Sequence, residues 1–252
     1  MSSNVQPALR VVETREDWSP VRIRTLDISC RAAWDAFVDR QTDATFFHRA
    51  GWKDVIELAF DHTTHYLLAE QRGDIVGILP LVHVKSRLFG NTLSSLPFCV
   101  YGGVVAEHPA AAALLIDHAT GLAKSLGVDA LELRNLKPSG RSWPSKDLYV
   151  TFRKAISADN QENLNAIPRK QRAMVRKGME AGLQSRWDGG IVDFYNAYSQ
   201  SVHALGTPVF SRRYFEILRD VFKDHSRILT ITKDDRTVAS VLSFYFRDEV
   251  IP

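Results

Sequence analysis

A run of cations between Ile167 and Gly182, read IPRKQRAMVRKGMEAG, is the stretch of this sequence with the clearest chemistry. Residues 169–177 carry five positive charges and no acidic residue, whereas the net charge of the whole chain is only +3. Guanidinium groups spaced three and four residues apart share one face of a helix, where they can bind phosphates or carboxylates bidentately. The sequence therefore predicts an anion-binding helix with the contacts Arg169, Arg172, Arg176 and Lys170.

The same stretch has the boundary signals of a helix. Pro168 suits the first turn, where a missing N–H costs nothing, and Gly182 suits the C-terminal stop. The side opposite the arginines, at about 100° per residue, holds Met174, Val175, Gly178 and Ala181. This pattern predicts an amphipathic helix with one face in a core. The alternative is a merely solvated basic helix, although no acidic partner occurs before Glu180.

Three further residues are candidates for substrate contact. Arg49 and Lys53 flank Trp52 at the start of an expected helix, where an ordinary helix-start role is the alternative. Tyr101 follows an apolar run and precedes two glycines, so its ring either faces a cleft or packs in the core. All three are predicted to contribute to a binding site more weakly than the basic helix.

No residue is assigned as catalytic. His48 is a candidate general base, but the two phenylalanines before it favour a structural histidine. Asp61 and His62 are adjacent, and adjacent residues rarely share a face. Cys99 lacks a histidine partner in the local sequence, so a buried thiol is the default interpretation.

Motifs and composition exclude several other classes of protein. The sequence has no G-x-S-x-G nucleophile turn, P-loop or complete dinucleotide-binding fingerprint. His62 and His65 lack a third ligand, so no metal site is expected. With two cysteines, no signal peptide and no apolar run of about 20 residues, the chain is expected to be cytoplasmic and without a transmembrane segment.

Hydrophobic periodicity predicts helices and strands along the chain. Helices are expected at residues 31–40, 51–60, 109–126, 193–205 and 207–222, besides the basic helix. Strands are expected at residues 9–13, 21–26, 93–105, 128–136 and 148–156, and hairpins at 65–86 and 227–246.

A shift of 162 residues reveals an internal repeat, in which Trp52 meets Tyr214 and Leu79 meets Val241. One ungapped shift aligns a helix, a strand, a turn and a second strand. This predicts two copies of one α/β unit, in domains of residues 1–156 and 157–252, with the basic helix opening the second. The counterparts of the last helix and strand of the first copy would fall beyond residue 252, so the second domain is expected to be incomplete.

Several phrases along the chain resemble the FemAB-like proteins associated with exosortase (PEP-CTERM) gene clusters. They are ATFFHRAGW (44–52), PLVHVKSRLFGN (80–91), PFCVYGG (97–103), LELRN (131–135), IPRKQRAMVRKG (167–178) and SVLSFYFRDE (240–249). The resemblance implies an α/β (α+β) fold of tandem GNAT-like, BioF2-like acyltransferase domains. Their sheets are expected to be mixed, mainly antiparallel and flanked by helices.

The resemblance also implies a reaction. Fem-type enzymes move an amino acid from aminoacyl-tRNA to an amine of a cell-wall precursor, and related proteins transfer acyl groups. The expected function is therefore acyl or aminoacyl transfer onto a phosphate-bearing cell-envelope or exopolysaccharide precursor. In Fem enzymes the arginine that opens the helix lies near the precursor's phosphate. The alternatives are a non-catalytic module that binds a phosphate or glycan precursor, and a nucleic-acid-binding protein.

The acyl donor is left open between aminoacyl-tRNA, acyl-CoA and an acyl carrier, and no permanently bound cofactor is expected. In GNAT-like folds, backbone groups where two strands splay can stabilise an oxyanion. Users of CoA carry a Q/R-x-x-G-x-G/A loop before a helix, and the segment Tyr101–Gly103 does not have that spacing. Expected partners are the precursor, with tRNA or an acyl carrier protein as further candidates, and peripheral contact with the inner membrane is allowed.

Overall fold

The computed structural model describes residues 19–86, 90–146 and 148–252. Two β-sheets form its framework, one from residues 22–132 (the first unit) and one from residues 184–251 (the second unit). The strands are β1 Arg22–Thr25, β2 Thr63–Gln71, β3 Asp74–Ser86, β4 Gly90–Ser95, β5 Val105–Ala106, β6 Ala130–Glu132, β7 Gln184–Trp187, β8 Ser226–Lys233, β9 Arg236–Phe246 and β10 Glu249–Ile251. The α-helices are α1 Arg31–Arg40, α2 Gly51–Phe60, α3 Pro109–Leu126, α4 Asn160–Asn165, α5 Arg169–Glu180, α6 Ile191–Ala204 and α7 Arg212–Val221.

The first sheet is covered by helices on both faces. Strands β1 to β4 pair antiparallel in chain order, β5 adds to β3, and β6 joins β4 in parallel after the crossover helix α3. Alternate residues of a strand point to opposite faces. Tyr66 and Leu68 of β2 therefore pack with α1 and α2, while Leu67 and Ala69 pack with α3.

Helix α3 shows how local signals set the length of an element. Pro109 lies in its first turn, and Nδ1 of His108 accepts a hydrogen bond from the Ala111 N–H at 3.2 Å. Gly127 ends the helix in the left-handed region, with φ of 61°. The predicted helix with Gly127 as its stop is confirmed.

The second unit repeats the first at the shift of 162 residues. Strand β7 pairs with β8 in the register in which β1 pairs with β2, and both hairpins carry a bulge at the corresponding place, residues 69–70 and 231–232. The two hairpin turns, Arg72–Gly73 and Asp234–Asp235, both have positive φ at each central residue. That is the backbone of a type I′ turn, whose twist matches the paired strands.

The two units share one hydrophobic core. Helices α2 and α7, which are equivalent in the repeat, pack against each other. Phe46 of the first unit lies with its ring centroid 4.8 Å from those of Phe222 and Phe244 of the second. Gly51 permits this approach, because a Cβ atom there would lie 2.7 Å from a ring carbon of Phe222. The units are therefore joined by buried aromatic packing rather than by the connecting chain alone.

The linking segment, residues 133–183, departs most from the sequence prediction. The strand predicted at residues 148–156 is wrong: the chain there makes no strand pairing, and its apolar side chains are exposed. A period-two pattern predicts an extended backbone but does not supply a partner strand. The predicted strand at 128–136 is reduced to β6, and β7 was missed because its four residues, QSRW, have a weak pattern.

Two other predictions from the sequence are not tested by the described residues. The strand predicted at residues 9–13 lies outside the described residues, and the domain boundary at residues 156 and 157 stays a prediction. Searched over the described ranges, the helices include none with the length and apolar character to span a membrane.

Candidate functional site

The basic helix α5 projects its cations into solvent. Arg169, Lys170, Arg176 and Lys177 are all exposed. Within the described part of the chain, no carboxylate pairs with any of these four side chains, while fifteen other ion pairs do occur elsewhere. The single acidic residue of the helix, Glu180, lies at its last position. The helix therefore presents an uncompensated positive surface.

Arg172 has a different role from the other cations of α5. Its guanidinium donates to the carbonyl of Asn165 at 2.7 Å and to that of Ile167 at 3.0 Å. These carbonyls belong to the end of α4 and the turn before α5, where helical acceptors are left unsatisfied. Arg172 thus fixes the α4–α5 turn, and its predicted contact with substrate stays a prediction.

The predicted core face of α5 is wrong. Met174 and Met179 are 63% and 67% exposed, Val175 is exposed as well, and no residue of the helix is buried. Leu183 approaches this side, 3.5 Å from where a Cβ atom on Gly178 would lie. Amphipathicity determines which side of a helix is apolar, but it does not determine what covers that side.

Arg49 lies where the first unit meets the second, and Lys53 follows it on α2. Nη2 of Arg49 lies 2.6 Å from Oδ1 of Asp39, Nη1 lies 3.9 Å from a carboxylate oxygen of Asp35, and the guanidinium stacks over the ring of Phe246. Lys53 pairs with Glu57 one helical turn onward. Both cations are thus neutralised by neighbouring carboxylates, and their role as substrate contacts stays a prediction.

A cluster of charges at this junction was not identified from the sequence. Arg31 forms a two-pronged ion pair with Asp54, and Asp35 accepts a hydrogen bond from the Ala50 N–H at 2.8 Å. The cluster lines a cavity of about 310 Å³ whose other wall includes Asp224 and His225 of the second unit. Packing of α1 against the start of α2 brings the cluster together, and the second unit contributes only the opposite wall of the cavity.

Tyr101 links the first unit to the linking segment. Its hydroxyl lies 2.8 Å from Oγ1 of Thr151. The loop that carries Tyr101 is strained, because Leu96 and Phe98 both lie in the left-handed region, with φ of 51° and 68°. The Phe98 ring is half-exposed and stacks on Phe60 with a centroid distance of 4.4 Å.

His48 is a structural histidine. Its Nδ1 accepts from the Thr45 N–H at 3.0 Å, which leaves the proton on Nε2, and Nε2 donates to the Gly103 carbonyl at 3.0 Å. Burial lowers the pKa of His48 to about 4, and the two hydrogen bonds oppose this only in part. The ring is therefore neutral at physiological pH. Its two hydrogen bonds hold the loop before α3 in place.

The other candidates for catalysis from the sequence are Cys99 and the Asp61–His62 pair, and burial has the largest effect on the pKa of Cys99 and of His62. Burial raises the pKa of the Cys99 thiol, with Arg134 acting weakly in the opposite direction, so Cys99 is not an activated nucleophile. Burial lowers the pKa of His62 more than Asp61 raises it. Among the described residues, no group of three histidine, cysteine, aspartate or glutamate side chains has the arrangement of a metal site.

The chain segments that follow the parallel strands β4 and β6 of the first unit are joined by hydrogen bonds, so the gap between them is closed. The Arg134 N–H donates to Oγ of Ser95 at 2.7 Å, and the Arg134 carbonyl accepts from the N–H groups of Gly102 and Gly103 at 3.2 and 3.0 Å. A Cβ atom on Gly103 would lie 2.6 Å from Cα of Asn135. The glycine loop therefore fills the position where parallel strands part, and its amides are not free for an acyl donor.

Comparison with known proteins supports the fold and leaves the family open. No family model matches the sequence, and no curated protein matches it. The solved structure of FemX overlaps with a TM-score of 0.58 at 18% identity, and the match covers 83% of this chain and 57% of FemX. The chain thus spans little more than half the length of FemX.

A GNAT family acetyltransferase from Staphylococcus aureus aligns with a TM-score of 0.33 at 14% identity, over 54% of this chain and 98% of that protein. The overlap with FemX shows the fold: a mixed α/β protein with mainly antiparallel sheets flanked by helices. The fold class predicted from the sequence is confirmed.

Proposed function

We propose that this chain is an acyltransferase of the Fem type, moving an aminoacyl or acyl group onto an amine of a phosphate-bearing precursor. The observation that carries the proposal is the set of exposed cations on α5, none of which is paired within the described residues. Phosphates are bound by such clusters through charge-assisted hydrogen bonds. The structural similarity to FemX supports the same proposal, at the level of the fold only.

The reaction requires the acceptor amine to attack the carbonyl carbon of the donor. The amine loses a proton, the carbonyl oxygen becomes an oxyanion, and the oxygen or sulfur of the carrier leaves with a proton. In this proposal α5 holds the acceptor by its phosphate, so that the amine is positioned for attack. Because the gap of the first unit is closed by Gly102 and Gly103, that gap is not the proposed place for the donor.

The class of precursor is proposed from the sequence phrases that resemble FemAB-like proteins. The precursor is proposed to belong to the cell envelope or to an exopolysaccharide, as in the exosortase-associated branch of FemAB-like proteins. The donor class, among aminoacyl-tRNA, acyl-CoA and acyl carrier protein, stays open in this proposal.

The experiment is calorimetric titration with UDP-N-acetylglucosamine, a soluble diphosphate probe. The Arg169→Gln, Arg176→Gln double variant is expected to bind at least about tenfold more weakly, since each lost charge-assisted hydrogen bond is worth about 1.5–3 kcal/mol. Arg212→Gln is the matched control, because Arg212 is also helical and exposed but pairs with Glu216. Arg172 is left unchanged because it fixes the α4–α5 turn.

Equal binding by the double variant and the control would refute the role of α5. Binding of tRNA but not of the diphosphate probe, lost in the same variant, would favour the nucleic-acid alternative. Such binding would weaken steeply with salt, because counterions are released from the phosphates.

A second candidate function is supported by the closed gap. If the described chain binds a precursor without catalysing transfer, the Gly102 and Gly103 amides serve only the structure. Incubation with donor and acceptor, followed by mass spectrometry of the acceptor, separates the two functions. Binding without a mass increase, with every donor class, would favour the non-catalytic module.

A further inference from the structure

We propose that residues 148–179 form a surface that binds an anionic lipid bilayer. This inference stands on exposed side chains and charge, and it does not depend on acyl transfer. It concerns a larger surface than the phosphate site of α5, although the cations of α5 contribute to both.

The first observation is the number of large apolar side chains left in water. Tyr149 and Phe152 are 93% and 92% exposed. The other exposed apolar residues of the surface are Leu148, Val150, Ile156, Met174, Val175 and Met179. Isolated apolar residues on a surface are ordinary, but a dense group within one short segment marks an interaction site.

The second observation is that hydrogen bonds connect the successive segments of this surface. The Ser157 N–H donates to Oδ1 of Asn163 at 2.8 Å, and Nδ2 of Asn163 donates back to the Ser157 carbonyl at 2.7 Å. Arg172 then ties α5 to the end of α4. The extended chain, α4 and α5 are thus linked by hydrogen bonds, although none of their side chains is buried.

The third observation is that polar contacts anchor the extended part to both units. Thr151 lies 2.8 Å from the Tyr101 hydroxyl of the first unit. Arg153 lies 3.0 Å from a carboxylate oxygen of Glu249 in the second. These two contacts fix the backbone on either side of Phe152, while the rings of Tyr149 and Phe152 remain in solvent.

Charge identifies the partner. Residues 148–179 contain seven basic and two acidic residues, a net charge of +5, so the rest of the chain carries −2. Basic residues mixed with aromatic and aliphatic ones are typical of segments that lie in the headgroup region of an anionic membrane. A nucleic acid would use the cations but would leave Leu148, Val150 and Met179 without a partner.

The test is flotation of the full chain with vesicles of phosphatidylcholine alone and of phosphatidylcholine with 30% phosphatidylglycerol. The chain is expected to float only with the anionic vesicles, and less at high salt. The Tyr149→Ser, Phe152→Ser variant is expected to bind about tenfold more weakly, through lost apolar burial. Ile28→Ser is the matched control, because Ile28 is 85% exposed but lies on the first unit.

The aromatic variant also separates this inference from the proposed function. It should lose vesicle binding while titration with UDP-N-acetylglucosamine remains unchanged, whereas Arg169→Gln, Arg176→Gln should weaken both. Circular dichroism of each variant checks that the fold is kept.

Three results would overturn the proposal. One is failure of the unaltered chain to float with anionic vesicles at low salt. Another is equal flotation of the aromatic variant and the Ile28→Ser control. The third is self-association in sedimentation equilibrium without lipid, lost in the aromatic variant, since a second copy of the chain would then cover this surface.

Discussion

At the scale of single residues, His48 couples the loop before α3 to the start of α2. Its ring accepts from the Thr45 N–H and donates to the Gly103 carbonyl, so it holds the glycine pair that closes the gap of the first unit. The Trp34 indole donates to the His48 carbonyl at 2.7 Å, which fixes the backbone as well as the ring. A buried neutral histidine of this kind makes stability depend on pH.

Stability should fall as the pH is lowered from 6.5 towards 4. Above pH 6.5 the ring is neutral in both states; below it the unfolded chain takes up a proton that the folded chain, with the pKa of His48 at about 4, excludes. At about 1.4 kcal/mol per pH unit, the loss due to this residue is about 2 kcal/mol between pH 6.5 and 5.0. Urea unfolding of the unaltered chain and of His48→Gln at several pH values measures it.

His48→Gln should be less stable at pH 7.5 but should have a flatter pH dependence below 6.5. The exposed His118 provides the control, and His118→Gln should keep the slope of the unaltered chain. Parallel curves for the unaltered chain and His48→Gln would show that His48 does not titrate as described.

At the scale of elements, the contact of α2 with α7 depends on a glycine. A Cβ atom on Gly51 would lie 2.7 Å from Cε1 of Phe222 and 2.9 Å from Cγ1 of Val221, both in buried or half-buried side chains. The close approach of equivalent helices from the two units therefore requires the smallest residue at this position.

Gly51→Ala should destabilise the fold by about 1–3 kcal/mol, the usual cost of overpacking a core. Gly121→Ala is the matched control, because a Cβ atom on Gly121 of α3 would meet nothing within 4 Å. That control should be stabilised by about 0.5–1 kcal/mol through helix propensity. Denaturant unfolding measures both changes, and a stabilised Gly51→Ala would contradict the described helix contact.

At the scale of the whole molecule, one hydrophobic core crosses from unit to unit. Trp34, Phe46 and Trp52 of the first unit belong to the same buried cluster as Phe222 and Phe246 of the second. Domains that share a core of this kind lose packing on both sides when either one opens.

The chain should therefore unfold in a single transition. Tryptophan fluorescence, to which Trp34 and Trp52 contribute, and far-UV circular dichroism should give coincident denaturation curves. Phe222→Ala, in the second unit, should lower stability by about 3–5 kcal/mol and move both curves together. Two separate transitions, or a shift in only one signal, would show that the units unfold independently.

The sequence by itself determined the local elements. The bounds of α1, α2 and α3, the two hairpins and the repeat at 162 residues all follow from side-chain periodicity and terminal residues, which act within a few positions. The cationic character of α5 was also evident, since charge needs no tertiary contact to be recognised. These elements predicted two copies of an α/β unit, and the resemblance to FemAB-like proteins implied the fold class.

Only the tertiary structure decided which surfaces acquire partners. The apolar side of α5 and the extended segment at residues 148–156 have patterns that predict burial, yet no element of the described chain covers them. Conversely, Arg49 and Arg172 looked free in sequence but are bound by Asp39 and by backbone carbonyls. Burial and ion pairing depend on residues distant in the chain, and local patterns carry no information about where those residues lie.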